Sequence, residues 1–431
     1  MAKGSPEDIL RLCTGYEVEG RAHALDAAAR VRIQALFESL SRDGFRVLGI
    51  AWRSAPPQHD HAVLGDEAEL VFSGFAAFLD PPKTSAAPAL AALAQDGIAL
   101  KIVSGDNEFV TRYICAQLGV AVTGVLTGSE IQQLDDPALQ ARVQGVNLFC
   151  RITPAQKTRV LAALRARGHV VGFLGDGIND APALHTADVG ISVDSAVDVA
   201  KEAADLIMLE HDLLVLHAGV REGRRTFGNV TKYIMMGTSS NFGNMFSMAG
   251  ATLLLPFLPM LPIQILLNNF LYDLSEIAIP LDSVDEETLA RPRVWDMHFI
   301  RNFMLTLGPV SSAFDFLTFY LLLVVFHADE ALFHTGWFVE SVVTQVLVIF
   351  VIRTRGNPFA SLPHPGLTVL SLLVVAVAIV LPSTSLGAHL GFVPPPAAFY
   401  AVLASIAIVY LFAVYAMKRV FYLRWDAQAT H

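Results

Sequence analysis

The chain has 431 residues, of which 53% are hydrophobic and 16% charged, with a formal net charge of −10. This acidic balance argues against a nucleic-acid partner, because phosphate contacts need clustered positive charge. The hydrophobic residues concentrate in the second half, so the first half reads as soluble and the second as embedded in a membrane. Cys13, Cys115 and Cys150 lack metal-ligand spacing and are expected to be reduced, buried and inert.

Between residues 70 and 215, short apolar runs alternate with helical patterns, which predicts an α/β fold with a doubly wound parallel sheet. The run at 101–103 leads into Ser104-Gly105-Asp106-Asn107, and the run at 170–174 leads into Gly175-Asp176-Gly177-Ile178-Asn179-Asp180. Open α/β sheets hold their ligands at the carboxyl ends of strands. We therefore expect both polar segments to contribute to one ligand site.

The turn at 175–180 predicts a magnesium-phosphate site. Asp176 and Asp180 lie four residues apart and are expected to share one Mg²⁺, which binds through one or two carboxylates and leaves its other positions to water and phosphate. Asn179 adds a third polar side chain to this turn. Gly175 and Gly177 are expected to permit its tight backbone.

A helix is predicted to begin after Thr153, with Thr153 as its N-cap and Pro154 at its first helical position. Lys157 then falls in the first turn. We expect Ser104 to donate to a phosphate oxygen and Lys157 to balance the phosphate charge, since positioning and charge neutralisation supply most phosphoryl-transfer catalysis. Taken singly, each is more often a plain turn or a solvated lysine, and their succession on strand ends is what favours a site.

The second half contains apolar stretches near the length of about 20 residues that crosses a bilayer as a helix. Six spans are predicted, at approximately 234–255, 260–280, 302–326, 337–352, 366–385 and 398–417. Basic residues precede the first span and follow the second, fourth and sixth, and include Lys232, Arg291, Arg353 and Lys418. Because cytoplasmic loops are enriched in Lys and Arg, we expect a multi-pass protein of the inner or plasma membrane with both termini cytoplasmic.

Polar side chains inside these spans are candidate ion ligands, since burying them in a membrane is costly. Carboxylate and amide oxygens form a ligand set for hard cations, without the thiolates that select copper or zinc. The candidates are Asn241 and Asn244 in the first span, Asn269 and Asp273 in the second, and Glu340 in the fourth. Two alternatives stay open: the amides bond only across helices, or Glu340 lies near a membrane face. Asp315 and Gln345 also lie in spans.

The soluble half resembles the phosphorylation domain of P-type ATPases, which has a haloacid dehalogenase-like fold. The segments that carry the resemblance are Ser104 to Asn107 (TGDN in the family), Thr153 to Lys157 (TPxxK), Gly175 to Asp180 (GDGxND), Phe78 to Lys83 (DPPR type) and Lys3 to Glu7 (KGAPE). The resemblance implies ATP and Mg²⁺ as cofactors and places Lys3, Gly105 and Asp106 at the nucleotide. It implies three domains: a C-terminal remnant of the nucleotide-binding domain at 1–70, the phosphorylation domain at 71–215 and the six-helix transmembrane domain at 216–431.

The 431 residues contain no Asp-Lys-Thr-Gly-Thr segment, which carries the phosphorylated aspartate in that family. Asp80 is followed by Thr84 as in that motif, but Pro81 and Pro82 replace its Lys-Thr pair. By resemblance the actuator domain and the first four spans are also missing, so the chain alone is expected to be inactive. A separately encoded N-terminal half is an expected partner.

The second half resembles the magnesium-importing branch of these ATPases, at 239–244, 255–262, 272–273 and 336–340. This resemblance implies ATP-driven Mg²⁺ import, with the chain as the C-terminal portion of the transporter. Two other classes stay open. One is a non-catalytic membrane fragment from a truncated or split gene, and the other is a membrane-tethered phosphatase, which also needs the missing aspartate.

Overall fold

The structure is a computed structural model that describes residues 1–54, 64–290 and 292–429. The chain divides into two compact units, Met1–Gly219 and Val220–His431. Arg291, one of the basic residues behind the predicted orientation, lies outside the described residues.

The first unit opens with a five-stranded mixed sheet in the order β1-β4-β5-β2-β3, in which only β2 and β5 pair in parallel. Its strands are β1 Ala2–Gly4, β2 Cys13–Val18, β3 Arg21–Ala24, β4 Phe45–Trp52 and β5 Leu70–Leu79. Two helices, α1 Pro6–Leu12 and α2 Ala27–Arg42, accompany it. Ile9, Leu10 and Phe72 are part of the apolar core that holds these elements together.

The rest of the first unit has two three-stranded parallel sheets, where the sequence predicted one continuous sheet. The strands are β6 Ile102–Val103, β7 Val125–Thr127, β8 Leu148–Cys150, β9 Gly172–Leu174, β10 Val189–Val193 and β11 Leu206–Met208. Their orders are β6-β8-β7 and β11-β10-β9. Within the described residues, β6 and β9 each pair on one side only, so each sheet ends in an open edge.

Helices separate these strands, as the alternating pattern predicts. They are α3 Ala86–Gln95, α4 Glu108–Gln117, α5 Gly128–Gln133, α6 Asp136–Arg142, α7 Pro154–Ala166, α8 Ala181–Thr186 and α9 Asp198–Ala203. The start of α7 confirms the prediction, because Thr153 is the N-cap and Pro154 opens the helix. The Thr153 hydroxyl accepts from the Gln156 N–H, and the Gln156 side chain accepts from the Thr153 N–H, a reciprocal capping box.

The second unit is helical. Its helices are α10 Leu213–Leu254, which begins in the first unit, then α11 Pro262–Glu276, α12 Glu286–Leu289, α13 Met297–Tyr320, α14 Glu330–Ile352, α15 Pro365–Val380, α16 Ser385–His389 and α17 Ala397–Ala429. α14 lies at the centre, and 89% of its most apolar 18-residue stretch is buried by the helices around it.

Four helical segments are long and apolar enough to cross a membrane, where the sequence analysis counted six. They are Met297–Val325, Glu330–Ile352, Pro365–Ser383 and Ala397–Trp425, and they confirm the last four predicted spans. The first two predicted spans were wrong by this measure. Residues 234–254 of the first predicted span lie in α10, where serines and asparagines lower the mean hydropathy, and α11 of the second has only 15 residues.

A buried ion-pair cluster surrounds Asp282 in the second unit. Arg353 donates to both carboxylate oxygens, from Nε at 2.9 Å and from Nη2 at 3.0 Å, and Lys232 Nζ donates at 3.0 Å. Burial alone would raise the pKa of Asp282, but the hydrogen bonds from Arg353 and the charge of Lys232 outweigh it and hold the pKa below its ordinary value.

Lys418 is also buried, and its ammonium donates to the carbonyl oxygens of Val351, Thr354 and Gly356 at 2.9–3.0 Å. Arg353 and Lys418 were used to predict the membrane orientation, but both are buried and bonded to protein groups. Their positions are explained by these contacts and do not test the orientation, which stays a prediction.

Candidate functional site

The aspartate turn follows β9 directly and is shaped by a close approach at Gly175. The Gly175 N–H donates to the Ile191 carbonyl at 3.1 Å, and the Ser192 hydroxyl donates to the Gly175 carbonyl at 2.9 Å. A Cβ on Gly175 would lie 2.6 Å from Cβ of Asp180, whereas a Cβ on Gly177 would meet nothing closer than 3.4 Å. The tight backbone thus requires glycine at position 175. The expectation that the turn also needs glycine at position 177 was wrong.

The two carboxylates of the turn differ in their surroundings. Asp176 is exposed, and within the described residues its carboxylate has no hydrogen-bond or ion-pair partner. Asp180 is largely buried, accepts from Lys157 Nζ at 2.7 Å through Oδ1, and accepts from the Gly177 N–H at 3.2 Å through Oδ2. Asn179 is exposed beside them. The structure therefore brings Lys157 and Asp180 together in an ion pair.

Ser104 and Asp106 form a local pair at the end of β6. The Ser104 hydroxyl accepts from the Asp106 N–H at 3.0 Å and donates to Asp106 Oδ2 at 3.1 Å. Asn107 caps α4 by accepting from the Val110 N–H at 3.0 Å. A Cβ on Gly105 would meet nothing within 4 Å, so this position leaves room for a ligand.

Arg46 on β4 is a site residue that the sequence analysis missed. Its guanidinium donates to both oxygens of Asp106, at 3.1 Å from Nε and 2.7 Å from Nη2, and lies 3.9 Å from Asp80. The hydrogen bond to Asp106 raises the pKa of Arg46. Lys3 is exposed on β1, opposite Ile50 of β4, and no hydrogen bond links it to these groups in the described part of the chain. The sequence did offer a signal for Arg46, because it is the one charged residue among the apolar residues of β4.

The five candidate ligands of the second unit do not form one cluster. Asn241, Asn269 and Asp273 are exposed, Asn244 is half-buried, and Glu340 is buried. No hydrogen bond or ion pair joins any two of them in the regions that the structure describes. On α11 it is instead Asn268, Tyr272 and Glu276 that face inward. The Tyr272 hydroxyl lies 3.2 Å from that of Ser240, and Asn268 Nδ2 lies 3.5 Å from the Ser341 hydroxyl.

Comparison with known proteins identifies the family. Residues 1–85 match the family described as "P-type ATPase, cytoplasmic domain N", and residues 257–420 match "Cation transporting ATPase, C-terminus". A magnesium-transporting ATPase, P-type 1, of Salmonella typhimurium is 45% identical over 416 residues, 95% of this chain. The chain belongs to the P-type ATPases. The corresponding protein of Escherichia coli is 44% identical over 419 residues, and a probable cation-transporting ATPase F of Mycobacterium tuberculosis is 37% identical over 280 residues, 62% of this chain and 30% of the relative.

The chain spans about half the length of the magnesium-transporting relatives, 46% in both the Salmonella and the E. coli protein. Family membership and the four apolar helices make it a multi-pass membrane protein related to ion-translocating ATPases. The expected separately encoded N-terminal half gains no support from these comparisons.

Proposed function

We propose that this chain carries the magnesium-phosphate site and the membrane region of an ATP-driven Mg²⁺ importer. The observation that carries the proposal is the exposed carboxylate of Asp176, which has no partner among the described residues. It lies at the carboxyl end of a parallel strand beside Asp180, whose charge Lys157 balances. Mg²⁺ as the transported ion rests on the relatives that are named magnesium-transporting. The domain divisions at residues 70 and 215, the haloacid dehalogenase-like fold of 71–215 and the cytoplasmic termini belong to the same proposal.

The residues present fit a magnesium ion and a phosphate. Asp176 is open to a cation, and Asp180 is its second carboxylate, which suits the small number of protein ligands that Mg²⁺ uses. Bound Mg²⁺ supplies charge neutralisation for a phosphate. Lys157 would contribute a second positive charge, the Ser104 hydroxyl would donate to a phosphate oxygen, and Asn179 would orient a ligand at the turn.

ATP is proposed as the phosphate source, with Lys3, Gly105 and Asp106 on the nucleotide side. Arg46 already neutralises Asp106, so a bound nucleotide must meet an arginine–aspartate pair and not an isolated acid. The guanidinium holds the Asp106 carboxylate through two hydrogen bonds and presents a positive group where phosphates would approach.

The phosphate acceptor is proposed to come from a segment outside these residues. The 431 residues contain no Asp-Lys-Thr-Gly-Thr segment, and the open edges of β6 and β9 leave backbone donors and acceptors that an added strand would pair. The open Asp176 carboxylate also fits the second candidate function, a non-catalytic membrane fragment that binds Mg²⁺. In the importer, Asn241, Asn244, Asn269, Asp273 and Glu340 are the proposed ligands for the transported ion.

Magnesium binding by the purified chain in detergent tests the site. We expect Asp176→Asn to weaken Mg²⁺ binding by more than about tenfold, a loss of about 1.4 kcal/mol or more, in calorimetric titrations. Asp198→Asn, an exposed aspartate of the same unit, is the control and should leave the affinity unchanged. Equal affinities for the wild type and Asp176→Asn would remove Asp176 from the site, and Asp273→Asn reports separately on the membrane ligands.

A hybrid transporter separates the two candidate functions. The chain would replace the matching C-terminal part of the E. coli magnesium-transporting relative, to which it is 44% identical. We expect the hybrid to take up Mg²⁺ in an ATP-dependent manner, and Asp176→Asn to abolish the uptake. A well-inserted hybrid without uptake supports the non-catalytic fragment. The unfused chain should hydrolyse no ATP, and hydrolysis that depends on Asp176 would contradict an external acceptor.

A further inference from the structure

The side chain of Gln156 joins the first turn of α7 to the end of another strand. Its Oε1 accepts from the Thr153 N–H at 2.9 Å, and its Nε2 donates to the Gly128 carbonyl at 2.8 Å. A side-chain amide has both an acceptor and a donor, so one residue can form the two bonds at once. The first bond caps α7, whereas the second reaches a residue 28 positions earlier in the chain.

Gly128 suits this contact because it has no side chain. It follows β7 directly and is buried, and a Cβ there would lie 2.2 Å from the Arg151 carbonyl oxygen and 2.9 Å from Gln156 Oε1. β7 and β8 are parallel neighbours, so their carboxyl ends lie side by side. The backbone after β7 therefore packs directly on the segment that leads from β8 into α7.

The turn before α7 has a conformation that its sequence does not favour. Arg151 has a φ of +51°, in the left-handed region that residues other than glycine seldom adopt. Its N–H donates to the Asp106 carbonyl at 2.9 Å, and the Ile152 N–H donates to the Ser104 carbonyl at 3.3 Å. Such a conformation persists only where the surrounding structure determines it. Here the end of β6 holds the turn on one side, and Gly128 holds it on the other.

Lys157 lies next to Gln156 in the same turn of α7. Its backbone N–H donates to the Thr153 carbonyl at 3.0 Å, and its Nζ donates to Asp180 Oδ1 at 2.7 Å. The lysine side chain is 15% exposed and the aspartate side chain 13% exposed. A lysine has a flexible stem of four carbons, so its ammonium stays in place only if its backbone is fixed. A displacement of about 1 Å in such a group can cost a reaction about 100-fold in rate.

We propose that Gln156 is a positioning residue of the magnesium-phosphate site. Its two hydrogen bonds, the Gln156 bridge, fix the first turn of α7 against Gly128 and thereby hold the Lys157 ammonium beside Asp180. In the described part of the chain Gln156 has no hydrogen bond of its own to Asp180, so it acts through the backbone of Lys157. The importance of this position for catalysis rests on the proposed function, whereas the bridge itself can be measured without Mg²⁺ or ATP.

A plain helix cap is the alternative role of Gln156, and one substitution separates the two roles. Glutamate at this position still accepts from the Thr153 N–H, as in an ordinary capping box. An ionised carboxylate has no hydrogen to donate, so Gln156→Glu loses the bond to the Gly128 carbonyl. Gln156→Met has a similar length and loses both bonds.

Pulsed acetylation of lysines in the purified chain in detergent, read by mass spectrometry, tests the bridge. We expect both Gln156→Glu and Gln156→Met to raise the labelling rate of Lys157 by about fivefold or more, the factor that a hydrogen bond of about 1 kcal/mol represents. Lys101, whose ammonium donates to three backbone carbonyls of the same unit, is the internal reference and should keep its rate. Gln117→Glu, the same change at an exposed position of α4, is the control variant.

The labelling rates decide between the two roles. An increase in Gln156→Met without one in Gln156→Glu would show that only the cap matters and overturn the proposal. Unchanged Lys157 labelling in both variants, or an equal rise at Lys101, would overturn it as well. Should Gln156→Glu fail to fold, Gln156→Met must by itself raise Lys157 labelling for the bridge to stand.

The hybrid transporter then shows whether the position of Lys157 matters for the reaction. We expect Gln156→Glu to lower kcat for ATP hydrolysis by about tenfold or more at unchanged KM for ATP, because Lys157 is proposed to act on the phosphate and not on the rest of the nucleotide. Faster Lys157 labelling with an unchanged kcat would support the bridge and contradict the role of Lys157 in the proposed function. The two failures are thus distinguishable.

Discussion

The aspartate turn of the first unit and the buried Asp315 of α13 in the second unit hold carboxylates in opposite ways. The Asp176 carboxylate is exposed and has no hydrogen-bond or ion-pair partner in the described residues, whereas the buried Asp315 carboxylate accepts from the Ser247 hydroxyl and the Trp337 N–H. An exposed carboxylate keeps its water and can exchange it for a ligand, while an enclosed one depends on the donors that the fold supplies. Substitutions of carboxylates in the turn should therefore weaken ligand binding, whereas substitutions around the buried carboxylate in the helix bundle should lower stability.

Arg353→Ala should have the largest effect on stability. The change leaves Asp282 buried without the guanidinium that donates to both of its carboxylate oxygens. Breaking a buried ion pair lowers the free energy of unfolding by about 3–5 kcal/mol. Unfolding of the chain in detergent, followed by circular dichroism, measures the loss. Arg419→Ala, an exposed arginine on α17, should change the unfolding free energy by less than about 0.5 kcal/mol. A loss below about 1 kcal/mol for Arg353→Ala would show that the bundle does not depend on this pair.

Trp337→Phe tests whether Asp315 depends on its indole donor. The change keeps an aromatic ring in place and removes the N–H, and leaving a buried oxygen without its hydrogen-bond donor costs about 1–3 kcal/mol. The same unfolding measurement applies, with Trp295→Phe at a half-exposed tryptophan as the matched control. Equal losses for the two variants would show that the bundle does not depend on the hydrogen bond from Trp337 to Asp315.

Gly175→Ala and Gly177→Ala form a matched pair within the open turn. The first places a methyl group 2.6 Å from Cβ of Asp180, and overpacking of this kind costs about 1–3 kcal/mol. The second meets its nearest atom at 3.4 Å and should cost less than about 0.5 kcal/mol. If Gly177→Ala is as costly as Gly175→Ala, the close approach at position 175 is not what shapes the turn.

Alkylation of the three cysteines is the smallest effect that we expect, because these side chains are buried in the interior of the first unit. Burial raises the pKa of Cys13 and of Cys150 from 9.0 to about 11. At neutral pH this leaves about 100-fold less of the reactive thiolate. We expect negligible alkylation by iodoacetamide in the native chain and complete labelling of all three cysteines in denaturant, measured by mass spectrometry. Rapid native labelling of Cys150 would mean that this interior opens.

Local sequence predicted those features that local interactions decide. The start of α7 follows from Thr153, Pro154 and Gln156, which lie within four residues of one another. The four apolar helices follow from composition alone. The division of the predicted sheet into two was not foreseeable, because strand neighbours are set by contacts distant in sequence.

The membrane ligands show a second limit of sequence reasoning. α11 carries two adjacent polar rows, Asn269 with Asp273 and Asn268 with Tyr272 and Glu276. Both rows have helical spacing, and a rotation of about 100° about the helix axis separates them, as for any neighbouring residues. Spacing cannot choose between the rows, and the structure buries the second one. The partnership of Asp315 with Ser247 likewise joins residues 68 positions apart.

Lys418 has a mechanical consequence for the two helices that it joins. Its ammonium donates to the carbonyl oxygen of Val351 in the last turn of α14, where helix carbonyls lack a partner within the helix, and to those of Thr354 and Gly356 just after the helix. Sliding α17 along α14 by one turn, about 5.4 Å, would strip a buried cation and these carbonyls of their partners at once. The axial position of α17 relative to α14 is therefore fixed, and we expect the two helices to move only as one rigid body.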